Sequence, residues 1–243
     1  MAEMRQLHDY DCAPLGVMRM RAILATMLLV GGCAVALIVV VPAHADPETC
    51  PTTCDQIPNS AWIQQRAVPL DAVYNWPALA GAAVPLTATG PARFRFEELC
   101  ESPVQPQDPR NSAVAARVTV THPEGQWQLQ AEILHWRGDT ARGGQLAASV
   151  FSNAVGALRA CQQRTPAESP SLTSDESNRM AAVVSGPVVM HTYLVAHAAS
   201  STVTELTLWS SGPPQVSWPT VGDDSVLNAL TAPLCDAYIA SCP

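Results

Sequence analysis

The stretch GQWQLQAEILHWRGDTARGGQLAASVFSNAVGALRAC, residues 125–161, restricts the fold more than any other part of the chain. Between Gln126 and Trp136, the residues Trp127, Leu129, Ala131 and Ile133 recur with the two-residue period of a half-buried strand. Gly143-Gly144 interrupts that pattern. From Gln145 onward Leu146, Val150, Ala154 and Leu158 recur every four residues, Phe151 and Val155 widen the stripe, and Cys161 continues it. A strand, a glycine-bearing turn and an amphipathic helix over 144–161 that ends on a cysteine make a unit with little freedom.

A second stretch has the same grammar. Strands at 113–121 and 126–136, joined by the turn His122-Pro123-Glu124-Gly125, precede the first helix. Strands at 188–197 and 202–210 precede a helix at 224–239, with Asp223 or Asp224 as N-cap and Val226, Leu227, Leu230, Leu234 and Tyr238 as its apolar stripe. Each second strand ends near a tryptophan, Trp136 or Trp209, and each helix carries a cysteine, Cys161 or Cys235. Further strands are predicted at 93–99, where Phe94 and Phe96 alternate with Arg93 and Arg95, and at 179–185. The polar run 162–178 reads as an exposed loop. The expected architecture is α+β: an antiparallel sheet of five to six strands with two main helices on one face, a β-β-α pseudo-repeat and three disulfides. Residues 46–92 are Pro-rich and without period, which disfavours long helices and central strands. They read as an ordered arm that lays Trp62, Tyr74 and Trp76 across the domain formed by 93–243.

Residues 1–45 read as an N-terminal extension and a cleaved secretory signal. Arg19 and Arg21 precede the apolar run Ile23–Val41, and Ala43-His44-Ala45 offers small residues where a signal peptidase needs them. One alternative is an uncleaved anchor, since the 23–41 run is just long enough to span a bilayer. Another is lipidation at Cys33 after Val30-Gly31-Gly32, although the apolar run continues past it to Val41. Cys12 and Cys33 precede the expected cut; Cys50, Cys54, Cys100, Cys161, Cys235 and Cys242 follow it. An even set of cysteines in an exported chain reads as disulfides. The expected pairing is Cys100–Cys161. The other four either join the arm to the last helix or close two small local loops. A zinc site is the alternative, but Cys-x3-Cys and Cys-x6-Cys are not the usual paired knuckles. The net charge is −8 and every one of the 13 cationic side chains is arginine. Such a chain lacks the basic footprint of a nucleic-acid binder, and it would meet a membrane only through an uncleaved 23–41 segment.

Cys100, the VFSNAVGALRAC helix ending at Cys161, the paired hairpins and the last helix with Cys235 together resemble the extracellular sensor domain of mycobacterial PknH-type Ser/Thr kinases and its stand-alone secreted relatives. The resemblance lies in the pattern of residues 93–243. It implies an actinobacterial cell-envelope domain with a cleft for a small ligand or an envelope component, and no catalysis. The abundance of Ala, Pro and Arg agrees with a GC-rich coding genome.

The chemistry the residues allow is narrow. With no lysine there is no phosphate-binding GxxxxGK[ST] loop, no Schiff-base lysine and no Ser-x-x-Lys acyl transfer, and neither HExxH nor GxSxG occurs. Nothing calls for a cofactor or a metal. Arg137 and Arg142 flank the turn Gly138-Asp139-Thr140-Ala141 ahead of the central helix, where they and the helix N-terminus could hold an anion. The plain alternative is a solvated turn with an Arg–Asp pair. A pocket between sheet and arm is expected to be lined by Trp62, Trp76 and Trp136. The competing function is a secreted hydrolase that uses His135 or His191 with Asp139 and a serine such as Ser149 or Ser185.

Overall fold

The computed structural model describes Cys50, residues 54–86 and residues 92–242. The expected extension and signal, with the 23–41 run, Cys12 and Cys33, lie outside the described residues. Among the described residues no helix is long and apolar enough to cross a membrane.

Among the described residues the core is an antiparallel sheet of seven strands: β1 (Val84–Pro85), β2 (Val114–Val120), β3 (Gln128–His135), β4 (Ser169–Asp175), β5 (Arg179–Ser185), β6 (Val188–His197) and β7 (Thr202–Ser211), in the order β1-β2-β3-β7-β6-β5-β4. The α+β class holds, but the strand count is higher than expected. β4 comes from the run read as a loop. It is an edge strand bonded only to β5, and its residues alternate between exposed and half-buried, so its composition is that of a solvated surface. β1 is a two-residue addition from the arm, paired at Val84–Arg117 and Pro85–Ala116.

Residues 93–99 do not form a strand. Arg95–Leu99 is a short helix, α1. Glu97 turns its carboxylate back to accept the Phe94 N–H at 3.0 Å, an end-capping bond that a strand would lack. Phe94 and Phe96, both fully buried, stack with ring centroids 5.8 Å apart, so alternation in the sequence marked two core side chains and not a pleat.

The long helices are α2 (Thr140–Arg159) and α3 (Asp223–Ala237). They lie on opposite faces of the sheet, contrary to the expectation of one face. Leu134, Met180, Met190, Leu194, Val203 and Trp209 pack with Val150, Phe151, Ala154 and Leu158 of α2. Leu129, Ile133, Tyr193, Val195, Leu206 and Leu208 pack with Val226, Leu227, Leu230 and Leu234 of α3 and with Trp62 and Trp76 of the arm. Adjacent strand residues such as Tyr193 and Leu194 therefore enter different cores. β7 is buried over nine consecutive residues because both its faces are covered. A rotation that laid one antiparallel hairpin on the other across the β3–β7 seam would keep the helices on one face, so the two β-β-α units share element order but not a rotational repeat.

Gly143-Gly144 does not interrupt the chain; it lies in the first turn of α2. A Cβ on Gly144 would sit 2.7 Å from the Ala198 carbonyl, and one on Gly143 would run into Ser201. The glycines let the helix rest directly on the turn between β6 and β7.

Among the described residues the disulfides are Cys50–Cys54, Cys100–Cys161 and Cys235–Cys242. The first and third close small local loops, one of the two expected arrangements. Arm and last helix nevertheless meet through main-chain bonds: the Cys50 N–H donates to the Ala237 carbonyl at 2.8 Å, and the Ile239 N–H to the Cys50 carbonyl at 3.2 Å. Cys100–Cys161 joins α1 to the end of α2 across a sequence separation of 61, with both sulfurs in residues at 0% exposure. Replacing both cysteines by alanine should lower unfolding free energy by about 2–4 kcal/mol, read by urea denaturation, because the longest loop is no longer closed in the unfolded chain. Removing Cys50–Cys54 should cost much less.

Candidate functional site

At one end of the sheet the chain leaves β3 as Trp136-Arg137-Gly138-Asp139 and enters α2. Gly138 takes φ +101°, which an L side chain rarely adopts, and this turns the chain back over the sheet. The Asp139 carboxylate then accepts the Arg142 N–H at 2.7 Å and caps the helix. Trp136 is anchored by its main-chain N–H to the Ser201 carbonyl (2.9 Å) and by its indole N–H to the Pro109 carbonyl (3.0 Å).

These residues bound a cavity of about 370 Å³, lined by Ser112, Trp136, Arg137, Asp139, Arg142 and Leu146 with Gly143. Arg137 and Arg142 are exposed, and among the described residues neither guanidinium has a hydrogen-bond or ion-pair partner. The Arg–Asp pair of the plain alternative is not formed, because Asp139 faces the helix end. Two forked cations and the positive end of a 20-residue helix thus converge beside an indole.

The expected pocket lined by all three tryptophans does not form. Trp62 and Trp76 belong to the core on the α3 side and Trp136 to the core on the α2 side, with the sheet between them. Trp62 borders a separate cavity of about 500 Å³ with Asn59, Gln64, Arg66, Ala229 and Asp236. Trp76 is buried at 1% exposure, donates its indole N–H to the Pro69 carbonyl at 2.8 Å and stacks on Tyr74. Its role is packing.

The histidines do not assemble a hydrolase site. His135 is buried, with Nδ1 3.2 Å from Thr202 Oγ1 and its ring stacked on Tyr238 at 4.5 Å. His191 lies flat against Trp218 at 3.6 Å. Burial lowers both to about 4, so both imidazoles are neutral at pH 7. Neither bonds a serine hydroxyl or a carboxylate among the described residues, and Ser149 and Ser185 lie exposed elsewhere. His197, Cys235 and Cys242 bring their ligand atoms within 4.8 Å of one another, but the two sulfurs are bonded to each other and offer no thiolate to a metal.

Sequence reasoning missed the buried acids. Glu132 of β3 and Glu205 of β7 are direct cross-strand neighbours, both at 0% exposure. Glu132 pairs with Arg117 at 2.6 Å; Glu205 accepts from the Arg95 N–H (2.9 Å), Gln130 Nε2 (3.1 Å) and Thr207 Oγ1 (3.1 Å). Nearby, Arg110 holds Asp108 at 2.7 Å and Glu97 at 2.5 Å beside a cavity of about 280 Å³. A single acid inside an apolar strand, as in Thr202–Ser211, was the available signal. No family model matches the chain, and no curated protein matches it.

Burial raises the Glu132 carboxyl to about 7 despite Arg117, and burial together with the Glu132 charge raises Glu205 to about 8. Unfolded, a glutamate titrates near 4.5, so between that pH and 8 the native chain binds more protons than the unfolded chain and stability falls as pH rises. The neutral histidines act in the opposite sense, but only below their ordinary value of 6.5. From pH 6.5 to 8 the urea midpoint of the native protein should therefore decline, and Glu205→Gln, which cannot ionise, should flatten that decline. A midpoint equally constant in both proteins would refute the assignment.

Proposed function

We infer that this chain is a disulfide-stapled binding domain, secreted or held at the cell envelope, which takes a small anionic ligand and performs no catalysis on it. The observation that carries this reading is the pair of guanidinium groups, Arg137 and Arg142, unpartnered among the described residues, at the α2 N-terminus on the rim of the Trp136 cavity. A carboxylate or phosphate would accept from the two forks, and the apolar body of the ligand would lie against Trp136 and Leu146. Among the described residues the only other titratable group lining the cavity is Asp139, whose carboxylate is engaged in the helix cap, and the Ser112 hydroxyl donates to the Pro109 carbonyl, so no nucleophile and base converge there. Three disulfides suit an oxidising compartment outside the cytoplasm. A small-ligand cleft on an α+β domain is also what the resemblance to kinase sensor domains implies, with an uncleaved 23–41 segment as the route to membrane attachment.

Titration calorimetry with benzoate and with inorganic phosphate tests the reading. The native protein should bind at least one of them, and Arg137→Ala or Arg142→Ala should each weaken binding by about tenfold, ~1.4 kcal/mol, with an unchanged melting temperature. Equal binding by the native protein and the Arg137→Ala/Arg142→Ala double variant, or no binding of either anion, would remove the site.

A further inference from the structure

The cleft leaves one cluster of reactive groups unused. Cys235 lies in the last turns of α3 and Cys242 just beyond it, both half-buried and bonded to each other. His197, also half-buried, ends β6 beside them, with Nε2 3.6 Å from Cys242 Sγ and Nδ1 2.7 Å from Ser200 Oγ. Ser200 Oγ also lies 3.2 Å from the His197 carbonyl oxygen. A hydroxyl has one proton, and a carbonyl can only accept it. Ser200 therefore donates to the carbonyl and accepts from Nδ1–H, which fixes the imidazole tautomer and leaves the Nε2 lone pair directed at Cys242 Sγ. Burial lowers the imidazole's affinity for protons, in keeping with a neutral ring. A disulfide sulfur has no proton to give, so among the described residues this base has no proton donor in the intact bridge.

We propose that Cys235–Cys242 is an exchangeable disulfide that reacts with small monothiols, with His197 as its proton-transfer group. The incoming thiol gives its proton to His197 Nε2 and its sulfur attacks Cys235 Sγ. The Cys235–Cys242 bond breaks and the Cys242 thiolate departs beside the imidazolium, which returns the proton to it. The products are a mixed disulfide at Cys235 and a Cys242 thiol. A second thiol attacking the mixed disulfide releases the symmetrical small disulfide and leaves both cysteines reduced, so two thiols are oxidised for each bridge reduced. Among the described residues the other two bridges lack this arrangement. Cys100 and Cys161 are at 0% exposure, and the sulfurs of Cys50 and Cys54 contact the Gln56 carbonyl, which cannot take up a proton.

The oxidised protein is incubated with limiting 2-mercaptoethanol, quenched with an alkylating agent and mapped by mass spectrometry. The mercaptoethanol adduct at Cys235 with alkylated Cys242 should appear first, at a rate ~10-fold or more above opening of Cys50–Cys54 at pH 7. His197→Gln and His197→Ala should each lower that rate by about tenfold at pH 7 and leave opening of Cys50–Cys54 unchanged. The loss should shrink toward pH 9, where the attacking thiol ionises without help. Ser200→Ala, which frees the ring to reorient, should give a smaller loss with the same pH dependence. Circular dichroism identifies any variant that fails to fold, and the remaining variant then decides. Opening of Cys235–Cys242 no faster than Cys50–Cys54, or a rate indifferent to both His197 substitutions, would overturn the proposal.

Discussion

The antiparallel pairing of β3 with β7 is the contact on which the rest of the molecule depends. It runs from Gln128–Trp209 to His135–Thr202 and joins two hairpins distant in sequence into one sheet. Both strands alternate apolar side chains into each face, so neither face can remain in water. The sheet therefore needs two covers. α2 supplies one with help from α1, and α3 with the proline-rich arm supplies the other. The arm is structural for this reason: Trp62 and Trp76 fill surface that α3 alone leaves open.

The same seam holds the strongest electrostatic tension. Two carboxyls in one cross-strand pair cannot both ionise cheaply in a dry interface. Arg117 neutralises one, and the main chain of α1 with Gln130 and Thr207 surrounds the other. This ties α1 to the sheet by polar contacts as well as through Phe94 and Phe96, and Cys100–Cys161 then ties α1 to α2. The buried acids thus contribute to the scaffold that carries the cleft, some way from its open rim.

Much of this was legible in the sequence and some was not, for physical reasons. Strands 114–120, 179–185, 188–197 and 202–211 were read close to their bounds because runs rich in β-branched and apolar residues are bounded by turn residues there. Both long helices were read from their apolar stripes. Which face each helix covers was not legible, since a strand buried on both sides gives the same apolar run whichever helix lies above it. Residues 95–99 were misread because Glu97 caps a helix through a bond visible only in three dimensions. Arg137 and Arg142 were placed at one turn by sequence proximity, and the structure adds Trp136 to their cavity. Trp136 was grouped with Trp62 and Trp76 only by residue type, and the sheet separates it from them. The buried glutamates were passed over because a lone acid in a strand looks like a solvent-facing residue until its neighbours on both sides are known.

The turn between β6 and β7 has two sides. Ser201 meets the first turn of α2 and receives the Trp136 N–H, so it supports the anion cleft. Ser200, its neighbour in the chain, holds His197 against the Cys235–Cys242 bridge. Adjacent residues of one peptide are held with their Cα atoms about 3.8 Å apart. One short turn thus places the contact to the C-terminal bridge on one face and the seat of the helix end on the other.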